Sequence, residues 1–516
     1  MPEQELKLYV PESSRAKLER ALRRGAITQT PLRAIYFDTP SRELARQNIA
    51  LRLRLEGQQW VQTLKTPGDT LISRLEFKHE RSGSELDLSV YQGTQAAMVL
   101  ERLSQPLLMR YETRVLRTHR LLRVPGGLVE IALDQGCIQA GELQLPVQEF
   151  EVELKRGSLT ALLGCAKKWQ HQHALILDLR SKSERGDQLA TLAQKLQAQE
   201  GQAEDARPEV AQAAVAAFWQ PHLSQPMVLR PEMTAQEALA AVIAACMEQI
   251  IRNAALLAGV DACASRERKT TEHLHQLRVG IRRLRSAWSL FKGVCELPEQ
   301  TAMQSLKELF GQLGSSRDED VLLQSLWPKL QAAGQPPLTL DADITPEHPE
   351  LLVRSPRFQA WQLDMLGFIH QPAPLMLPAQ TQIEPKRPSL KKVLRLTLQG
   401  WHRQVLQQGL RFETLQMDER HELRKRVKRL RYALQFVDAL LPRKKIKPYL
   451  KRLARLQDLL GQMNDLVVAR HRFEALRESQ PGAWFACGWI SAELKSLDAN
   501  IRSGFGQLAK TDHYWQ

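Results

Sequence analysis

The first residues of the chain alternate charged and apolar side chains with the period of a β-strand. Glu3, Glu5 and Lys7 fall on one face, and Leu6 and Leu8 fall on the other, because side chains two residues apart share a face of a strand. Charged residues usually lie outside, so a half-exposed strand is one interpretation. The other is an inverted strand whose charged face lines an interior. This strand alone leaves both interpretations open.

Seven further segments repeat the alternation, and their charged faces carry both signs with few neutral polar residues. These segments are residues 34–40, 51–55, 60–65, 74–78, 113–119, 129–134 and 147–154. A closed antiparallel barrel explains them better than an open sheet, because closure removes the sheet edges and lets opposite charges compensate around a polar cavity. The sequence therefore predicts an antiparallel barrel with an ionic bore and flanking helices.

Several motifs in this part of the chain resemble the CYTH family, the triphosphate tunnel metalloenzymes. The motifs are Glu3-x-Glu5-x-Lys7, Tyr36-Phe37-Asp38-Thr39, Leu51-Arg52-Leu53-Arg54, Thr63-Leu64-Lys65, Arg74-Leu75-Glu76, Asp134-Gln135-Gly136, Glu149-x-Glu151-x-Glu153 and Ser181-Lys182-Ser183-Glu184-Arg185-Gly186. The resemblance covers residues 1–200 and implies an eight-stranded tunnel barrel that hydrolyses triphosphates with a divalent metal.

The charged faces of the predicted barrel suit two tasks. Guanidinium and ammonium groups hold phosphates, and the candidates are Arg52, Arg54, Lys65, Arg74, Arg117, Lys182 and Arg185. Carboxylates are hard oxygen ligands that suit Mg²⁺ or Mn²⁺. By the resemblance, the metal face comprises Glu3, Glu5, Glu149, Glu151 and Glu153, and Glu5 and Lys7 are the catalytic pair, with Lys7 contacting either phosphate or the attacking water.

Four more residues have two interpretations each. Glu76, Glu130 and Asp134 are either additional metal ligands or carboxylates that compensate a neighbouring arginine. His119 is either a phosphate contact or a packed side chain.

The composition changes after the predicted barrel. Residues 201–230 are rich in Gln, Ala, Glu and Pro and predict a linker with one short helix at 210–218. The remainder, residues 231–516, has helical periodicity apart from a proline-rich stretch, residues 334–388, that is interpreted as irregular.

An internal repeat marks this helical part. Residues 275–287 recur as residues 421–433, and each copy places an apolar seam beside a basic stripe about 100° further round the helix. The stripes comprise His275, Arg278, Arg282 and Arg285 in the first copy, and His421, Arg424, Lys428 and Arg431 in the second. Leu313-Gly314 with Asp318, and Leu460-Gly461 with Asp465, form a second repeated pair. A solvated helix face would explain one stripe, whereas two in matching phase favour a shared groove.

The repeat resembles the CHAD family over residues 231–516. That resemblance implies two pseudo-symmetric four-helix bundles around a basic channel that binds inorganic polyphosphate. Together the two resemblances predict an α+β protein with a tunnel barrel, a linker and an all-α domain.

The charge balance agrees with an anionic partner, since the chain has a formal net charge of +15. The expected substrate is inorganic triphosphate, with adenylyl cyclase or thiamine triphosphatase activity, or a non-catalytic polyphosphate adaptor, as alternatives. Nucleic acid is a less favoured partner because the stripes have few interleaved aromatics. Six scattered cysteines indicate reduced thiols and a cytoplasmic location, and no segment is expected to span a membrane.

Overall fold

A computed structural model of the chain describes residues 3–198, 218, 220–261, 270–313, 326–339, 348–370 and 389–511. The predicted linker at 201–230 lies largely outside these residues, as do Gly314, Asp318 and most of the short helix predicted at 210–218.

The N-terminal region is a closed antiparallel barrel of eight strands, as predicted. The strands are β1 (Glu3–Tyr9), β2 (Thr28–Asp38), β3 (Ala50–Glu56), β4 (Gln59–Pro67), β5 (Ser73–Arg81), β6 (Leu108–Val124), β7 (Gly127–Ala140) and β8 (Leu143–Gly157). Their order is β5-β4-β3-β2-β6-β7-β8-β1, and pairing of β1 with β5, with Glu3 opposite Arg74, closes the barrel. A two-residue strand, β9 (Ile176–Leu177), pairs with β1 as well.

Alternation decides which side chains of each strand face the bore. Leu6, Leu8 and Leu53 are almost completely buried in the core outside the bore, while Glu5 and Arg52, on the opposite faces of the same strands, line the interior cavity. Helix α3 (Leu159–His173) packs on this outer side, where Phe150 of β8 lies 5.0 Å from Trp169, centroid to centroid. Burial of apolar surface at about 25 cal/mol per Å² therefore stabilises the wall that holds the charges inward.

The helices in chain order are α1 (Arg15–Leu22), α2 (Gln95–Leu100), α3, α4 (Lys182–Gln197), α5 (Ala235–Leu257), α6 (Thr270–Phe291), α7 (Gln300–Gln312), α8 (Trp327–Ala332), α9 (Pro349–Arg354), α10 (Pro356–Ile369), α11 (Leu390–Gly409), α12 (Met417–Phe436), α13 (Arg443–Leu476) and α14 (Gly482–Ala509). The predicted mixed α+β architecture, with a helical region after the barrel, is confirmed. The arrangement as two four-helix bundles stays a prediction.

The interpretation of residues 334–388 as irregular is wrong for residues 349–369. Helices α9 and α10 occupy that stretch, and Pro356 stands in the first turn of α10, where a missing N–H costs nothing. Ser355 caps α10 by accepting a hydrogen bond from the Phe358 N–H at 3.2 Å. Prolines at helix starts were thus mistaken for breaks.

The chain divides into two compact units whose boundaries differ from the sequence-based domains. The first unit comprises residues 1–223, 248–277 and 350–370, so helical segments well beyond the barrel belong to the barrel's unit. In this unit the amide oxygen of Gln359 accepts a hydrogen bond from the Leu177 N–H at 2.9 Å. The second unit comprises residues 224–247, 278–349 and 371–516.

One helix among the described residues, α5, is long and apolar enough by length and composition to cross a membrane, and most of it is buried within the protein. This finding differs from the expectation from the sequence that no apolar segment is long enough to span a membrane. A buried core helix of a soluble protein can have the same length and composition.

Five of the cysteines are free thiols: Cys137, Cys165, Cys246, Cys295 and Cys487. Burial raises the pKa of the Cys246 thiol to about 11. Such a thiol is protonated at neutral pH and therefore unreactive.

Candidate active site in the barrel bore

A cavity of about 490 Å³ fills the bore of the barrel. Its wall is mainly ionic, and it gathers most of the residues predicted from the sequence. The predicted residues on the wall are Glu3, Glu5, Lys7, Arg52, Arg54, Lys65, Arg74, Arg117, Glu151, Glu153 and Lys182, together with Glu76, Glu130, Asp134 and His119. Two predicted residues, Glu149 and Arg185, do not line this cavity, although Glu149 contacts Lys182 of the wall.

Three buried carboxylates form a cluster at one side of the bore. Asp134 of β7 and Glu149 and Glu151 of β8 each offer an oxygen, and these oxygens lie within 4.8 Å of one another. Strand pairing produces the cluster, because Asp134 is directly opposite Glu149 in the register. We call Asp134, Glu149 and Glu151 the acidic cluster.

Two basic side chains neutralise the acidic cluster. The Lys182 ammonium contacts all three carboxylates, at 2.7 Å from Asp134 and 2.8 Å from Glu151. The Arg117 guanidinium donates two hydrogen bonds of 2.7 Å to Asp134 and also contacts Glu151. Although burial raises the pKa of the Glu151 carboxyl, Arg117 and Lys182 lower it more, so this pKa lies well below its ordinary value.

Glu149 behaves in the opposite way. Burial raises the pKa of its carboxyl to about 7, against the opposing charge of Lys182, and the negative charge of Glu151 adds to the increase. Two adjacent buried carboxylates cannot both ionise easily, so one of them retains its proton to a higher pH.

A second group of carboxylates surrounds Lys65. The Lys65 ammonium lies 3.1 Å from Glu3 and also contacts Glu76. Burial raises the pKa of Glu3 to about 7. Glu5 contacts Lys7, and although burial raises the pKa of Glu5, Lys7 and Lys65 lower it below its ordinary value. Glu5 is therefore ionised at neutral pH.

The acidic cluster fits a hard divalent cation. Three carboxylates within reach of one another are the donor set that Mg²⁺ and Mn²⁺ prefer. The Lys182 ammonium compensates these buried charges in the structure, so a divalent cation bound by the cluster would take its place.

Several other predicted wall residues lie in local ion pairs. Arg54 contacts Glu56, and Glu153 lies 2.8 Å from Lys155. His119 Nδ1 lies 3.4 Å from Glu130, a carboxylate of the same wall.

Sequence reasoning missed a tyrosine of the bore. The Tyr36 hydroxyl lies 3.4 Å from an Arg52 nitrogen, and its ring stacks on Tyr111 at 4.6 Å. Burial raises the pKa of the Tyr36 phenol, but Arg52 lowers it more, and the net pKa is below the ordinary value. Strand alternation could have identified this tyrosine, because Tyr36 is two residues from Ala34 on β2 and both side chains face the cavity.

The basic stripes lie on α6 and α12. The seam residues Leu277, Ile281, Leu423 and Val427 are completely buried, which confirms the predicted core face. In the second unit, the Arg278, Arg282 and Arg285 guanidiniums lie 5.4–5.6 Å from the Phe310 ring centroid. Arg278 is itself buried and donates a hydrogen bond to the Leu313 carbonyl.

The second stripe is more open. His421 and Asn464 side chains lie 3.0 Å apart, and Arg424 lies 4.0 Å from Asp465. Arg283 of α6 lies over the Phe436 ring of α12 at 5.4 Å, so the two repeat helices contact each other within the second unit. The first stripe begins at His275, which belongs to the first unit.

Affinity for a divalent cation should fall as the pH drops through 7. A carboxyl with a pKa of about 7, such as Glu149, is protonated below that pH and cannot bind a metal. Titration with Mn²⁺ should show up to about tenfold weaker binding per pH unit, the limit for one displaced proton. Glu149→Gln should bind more weakly with a flatter pH profile. Equal wild-type affinity at pH 6 and pH 8 would contradict this prediction.

Comparison with known proteins divides the chain into two matched regions. The model of the CYTH domain matches residues 1–186, and the model of the CHAD domain matches residues 241–474. An inorganic triphosphatase of Haemophilus influenzae is 32% identical over 154 residues, which are 29% of this chain and 44% of that protein. The chain thus matches less than half the length of this relative.

Two solved structures are each similar to a part of the chain. The CHAD domain from the plant Ricinus communis is 30% identical, with 56% of this chain and 96% of that chain covered at a TM-score of 0.40. A putative adenylyl cyclase from Hippeastrum, described as having a dominant triphosphatase activity, is 18% identical, with 36% of this chain and 94% of that chain covered at a TM-score of 0.27.

Proposed function

Because the chain combines a CYTH domain over residues 1–186 with a CHAD domain over residues 241–474, we propose that it hydrolyses inorganic triphosphate in the barrel bore with Mg²⁺ or Mn²⁺. The observation that carries this proposal is the cavity wall, where arginines and lysines alternate with buried carboxylates around one space. A small polyanion with a bound cation suits this wall, because the polyanion needs positive side chains and the cation needs carboxylates.

The basic side chains hold the phosphates. Arg52, Arg54 and Arg74 line the cavity, and guanidinium groups match the geometry of phosphate oxygens with paired N–H donors. Lys65 and Lys182 add point charges that neutralise the substrate. Because water is largely displaced from a narrow bore, these interactions are stronger than they would be in bulk solvent.

The acidic cluster holds the divalent cation, with Glu3, Glu5 and Glu76 as a further set of carboxylates on the same wall. When bound, the cation polarises phosphoryl oxygens and neutralises the charge that develops during phosphoryl transfer. Glu5, which is ionised at neutral pH, accepts a hydrogen bond from the attacking water and orients it. Lys7 stabilises the Glu5 charge and contacts the leaving or attacked phosphate.

A substrate panel tests the proposal. Phosphate release should be fastest from inorganic triphosphate, compared with pyrophosphate, ATP and thiamine triphosphate, and EDTA should abolish it until Mg²⁺ or Mn²⁺ is restored. Preference for thiamine triphosphate, or cyclic AMP formation from ATP, would support the alternative activities. No release from any substrate with metal present would support a non-catalytic binding role.

Arg52→Ala and Arg54→Ala should each raise the KM for triphosphate about tenfold or more, with little change in thermal stability. Burial and the positive charge of Arg52 lower the pKa of Arg54, so the two guanidiniums repel each other and gain from a polyanion between them. Losing a charge-assisted contact of about 1.5–3 kcal/mol sets the size of the effect. Steady-state kinetics with thermal melts measure both quantities.

Arg33→Ala is the matched control for this pair. Its side chain is about half exposed on β2 and pairs with Glu112, outside the cavity wall. An unchanged KM in Arg52→Ala, together with a loss of stability, would indicate a structural arginine and contradict the assignment.

For the helical region we propose binding of inorganic polyphosphate along the basic stripes of α6 and α12. The support is the contact of the two helices within one unit and the positive charge of both faces. A cytoplasmic location, and the lack of nucleic-acid and membrane partners, remain proposals from composition.

A further inference from the structure

Two arginines and two aspartates form a fully buried ion network beside the acidic cluster. Asp178, Arg180, Arg185 and Asp261 are each at most 5% exposed. Asp261 accepts hydrogen bonds from Arg185 Nε at 3.0 Å and from a second Arg185 nitrogen, and it lies 3.1 Å from Arg180. Arg180 donates to both oxygens of Asp178, at 3.0 and 2.8 Å. Two positive and two negative charges therefore balance without solvent.

This network adjoins the turn that positions Lys182. Ser181 caps α4 by accepting a hydrogen bond from the Glu184 N–H at 3.1 Å, and Lys182 is the first residue of that helix. Lys182 points to the cavity, whereas Arg185, one turn later, points to Asp261. One helical turn thus presents a cation to the bore and a second cation to the buried network.

Arg185 has a second carboxylate within reach. Its Nη1 lies 3.7 Å from Glu149 Oε2, a member of the acidic cluster. The guanidinium is thus placed between Asp261 and Glu149, with hydrogen bonds to Asp261 and, at 2.9 Å, to the Pro146 carbonyl, and only a long contact to Glu149. A charged fork prefers the carboxylate that offers bidentate geometry, so the position of Asp261 decides which carboxylate Arg185 neutralises.

Asp261 does not belong to the barrel sequence. It follows α5, lies within the CHAD-matched residues 241–474, and falls in the compact unit of the barrel. Its backbone has φ +59°, a left-handed conformation that Asp and Asn adopt more readily than other side chains. Arg252 of α5 also contacts this turn of α4, because its guanidinium donates a hydrogen bond of 3.1 Å to the Glu184 carboxylate.

We propose that Asp261 is a positioning residue for the divalent cation of the barrel: by holding Arg185, it keeps Glu149 available as a metal ligand. This inference rests on the proposed metal-dependent function. It assigns part of the triphosphatase site to the CHAD-matched sequence, so the barrel strands alone do not complete the site.

The test measures Mn²⁺ binding to the full-length protein without substrate, by titration followed with electron paramagnetic resonance. Asp261→Asn retains the shape and the left-handed backbone but removes the charge. Arg185 then pairs with Glu149, and the Kd for Mn²⁺ should rise about tenfold or more, the range for losing an outer partner of a metal ligand. Asp498→Asn, which breaks the 3.0 Å pair with Arg420 far along the chain, should leave the Kd unchanged.

A double variant distinguishes a positioning role of Asp261 from a general loss of structure. Arg185→Gln with Asp261→Asn removes the competing guanidinium as well as its partner, so its Kd for Mn²⁺ should return to within about threefold of wild type, the spread of such context effects. A merely structural role of Asp261 predicts no rescue. If Asp261→Asn fails to fold, Arg185→Gln alone carries the test, and it should bind Mn²⁺ at least as tightly as wild type.

Wild-type affinity in Asp261→Asn, equal weakness in the single and double variants, or weaker binding in Arg185→Gln would each overturn the proposal. These outcomes leave the proposed function intact, because the wild type would still bind Mn²⁺ and hydrolyse triphosphate. A wild-type protein that binds no Mn²⁺ would overturn both.

Discussion

Replacing Glu151 with glutamine should lower the turnover of triphosphate about 100-fold or more, while the barrel remains folded. Glu151 lines the cavity and lies 2.8 Å from Lys182. Since Arg117 and Lys182 keep its pKa well below the ordinary value, Glu151 is ionised across the physiological pH range. The glutamine amide has the same shape, but it removes this charge and replaces one of the two side-chain oxygen donors with nitrogen.

The fold should tolerate this change because the neighbouring cations retain partners. Lys182 still contacts Asp134 and Glu149, and Arg117 still donates two hydrogen bonds to Asp134. No buried charge is left uncompensated, which is the condition that would unfold the protein.

Glu142→Gln is the matched control, since Glu142 is exposed in the turn between β7 and β8. Glu5→Gln, on the neighbouring strand β1, should lower turnover by a similar factor. Rates for each variant are measured over a range of metal concentrations. Full activity of Glu151→Gln at limiting metal would contradict the assignment of the acidic cluster as the metal site.

The barrel could be predicted from the sequence because alternation is a local signal. In β1 the two faces differ clearly, with Leu6 and Leu8 on one and Glu3, Glu5 and Lys7 on the other. A shift of one residue in the pairing register would turn every charged side chain towards the outer apolar core. Eight segments with the same signal, each of which overlaps one observed strand, leave few topologies for an antiparallel sheet. Closure through β1 and β5 follows from the same logic of unpaired edges.

The partners of each charge could not be predicted, because pairing depends on distances through space. Asp134 and Glu130 have the same strand phase and the same two interpretations from sequence, yet only Asp134 lies within the acidic cluster, since its register places it opposite Glu149. Arg185 occupies a motif position typical of phosphate contacts, but it donates hydrogen bonds to Asp261, 76 residues away, and to the Pro146 carbonyl. No periodicity links these two residues.

Charge reversal along the basic stripes should abolish the binding of long-chain polyphosphate by the full-length protein. The variant combines Arg282→Glu, Arg285→Glu, Lys428→Glu and Arg431→Glu, all on α6 and α12. Arg278 is left unchanged because its buried side chain donates to the Leu313 carbonyl, and reversing a buried charge would destabilise the helix pair whatever its role. Wild-type affinity should also fall steeply with salt, as expected when a polyanion releases counterions.

A control variant with the same change in net charge separates a specific groove from general attraction. Arg20 of α1, Arg23 and Arg24 in the turn after α1, and Lys168 of α3 are exposed, and their reversal to glutamate should weaken binding only slightly. In the stripe variant, the affinity should fall roughly 100-fold or more and the slope of log Kd against log salt should decrease by about 0.7 for each lost contact. Triphosphate hydrolysis and helical circular dichroism should be retained in both variants, because neither set lies on the cavity wall.

Equal losses of affinity in the two variants would mean that net charge alone attracts the polyanion. Retained binding in the stripe variant would mean that the binding surface lies away from α6 and α12. The comparison therefore depends on where the charges lie and not on how many there are.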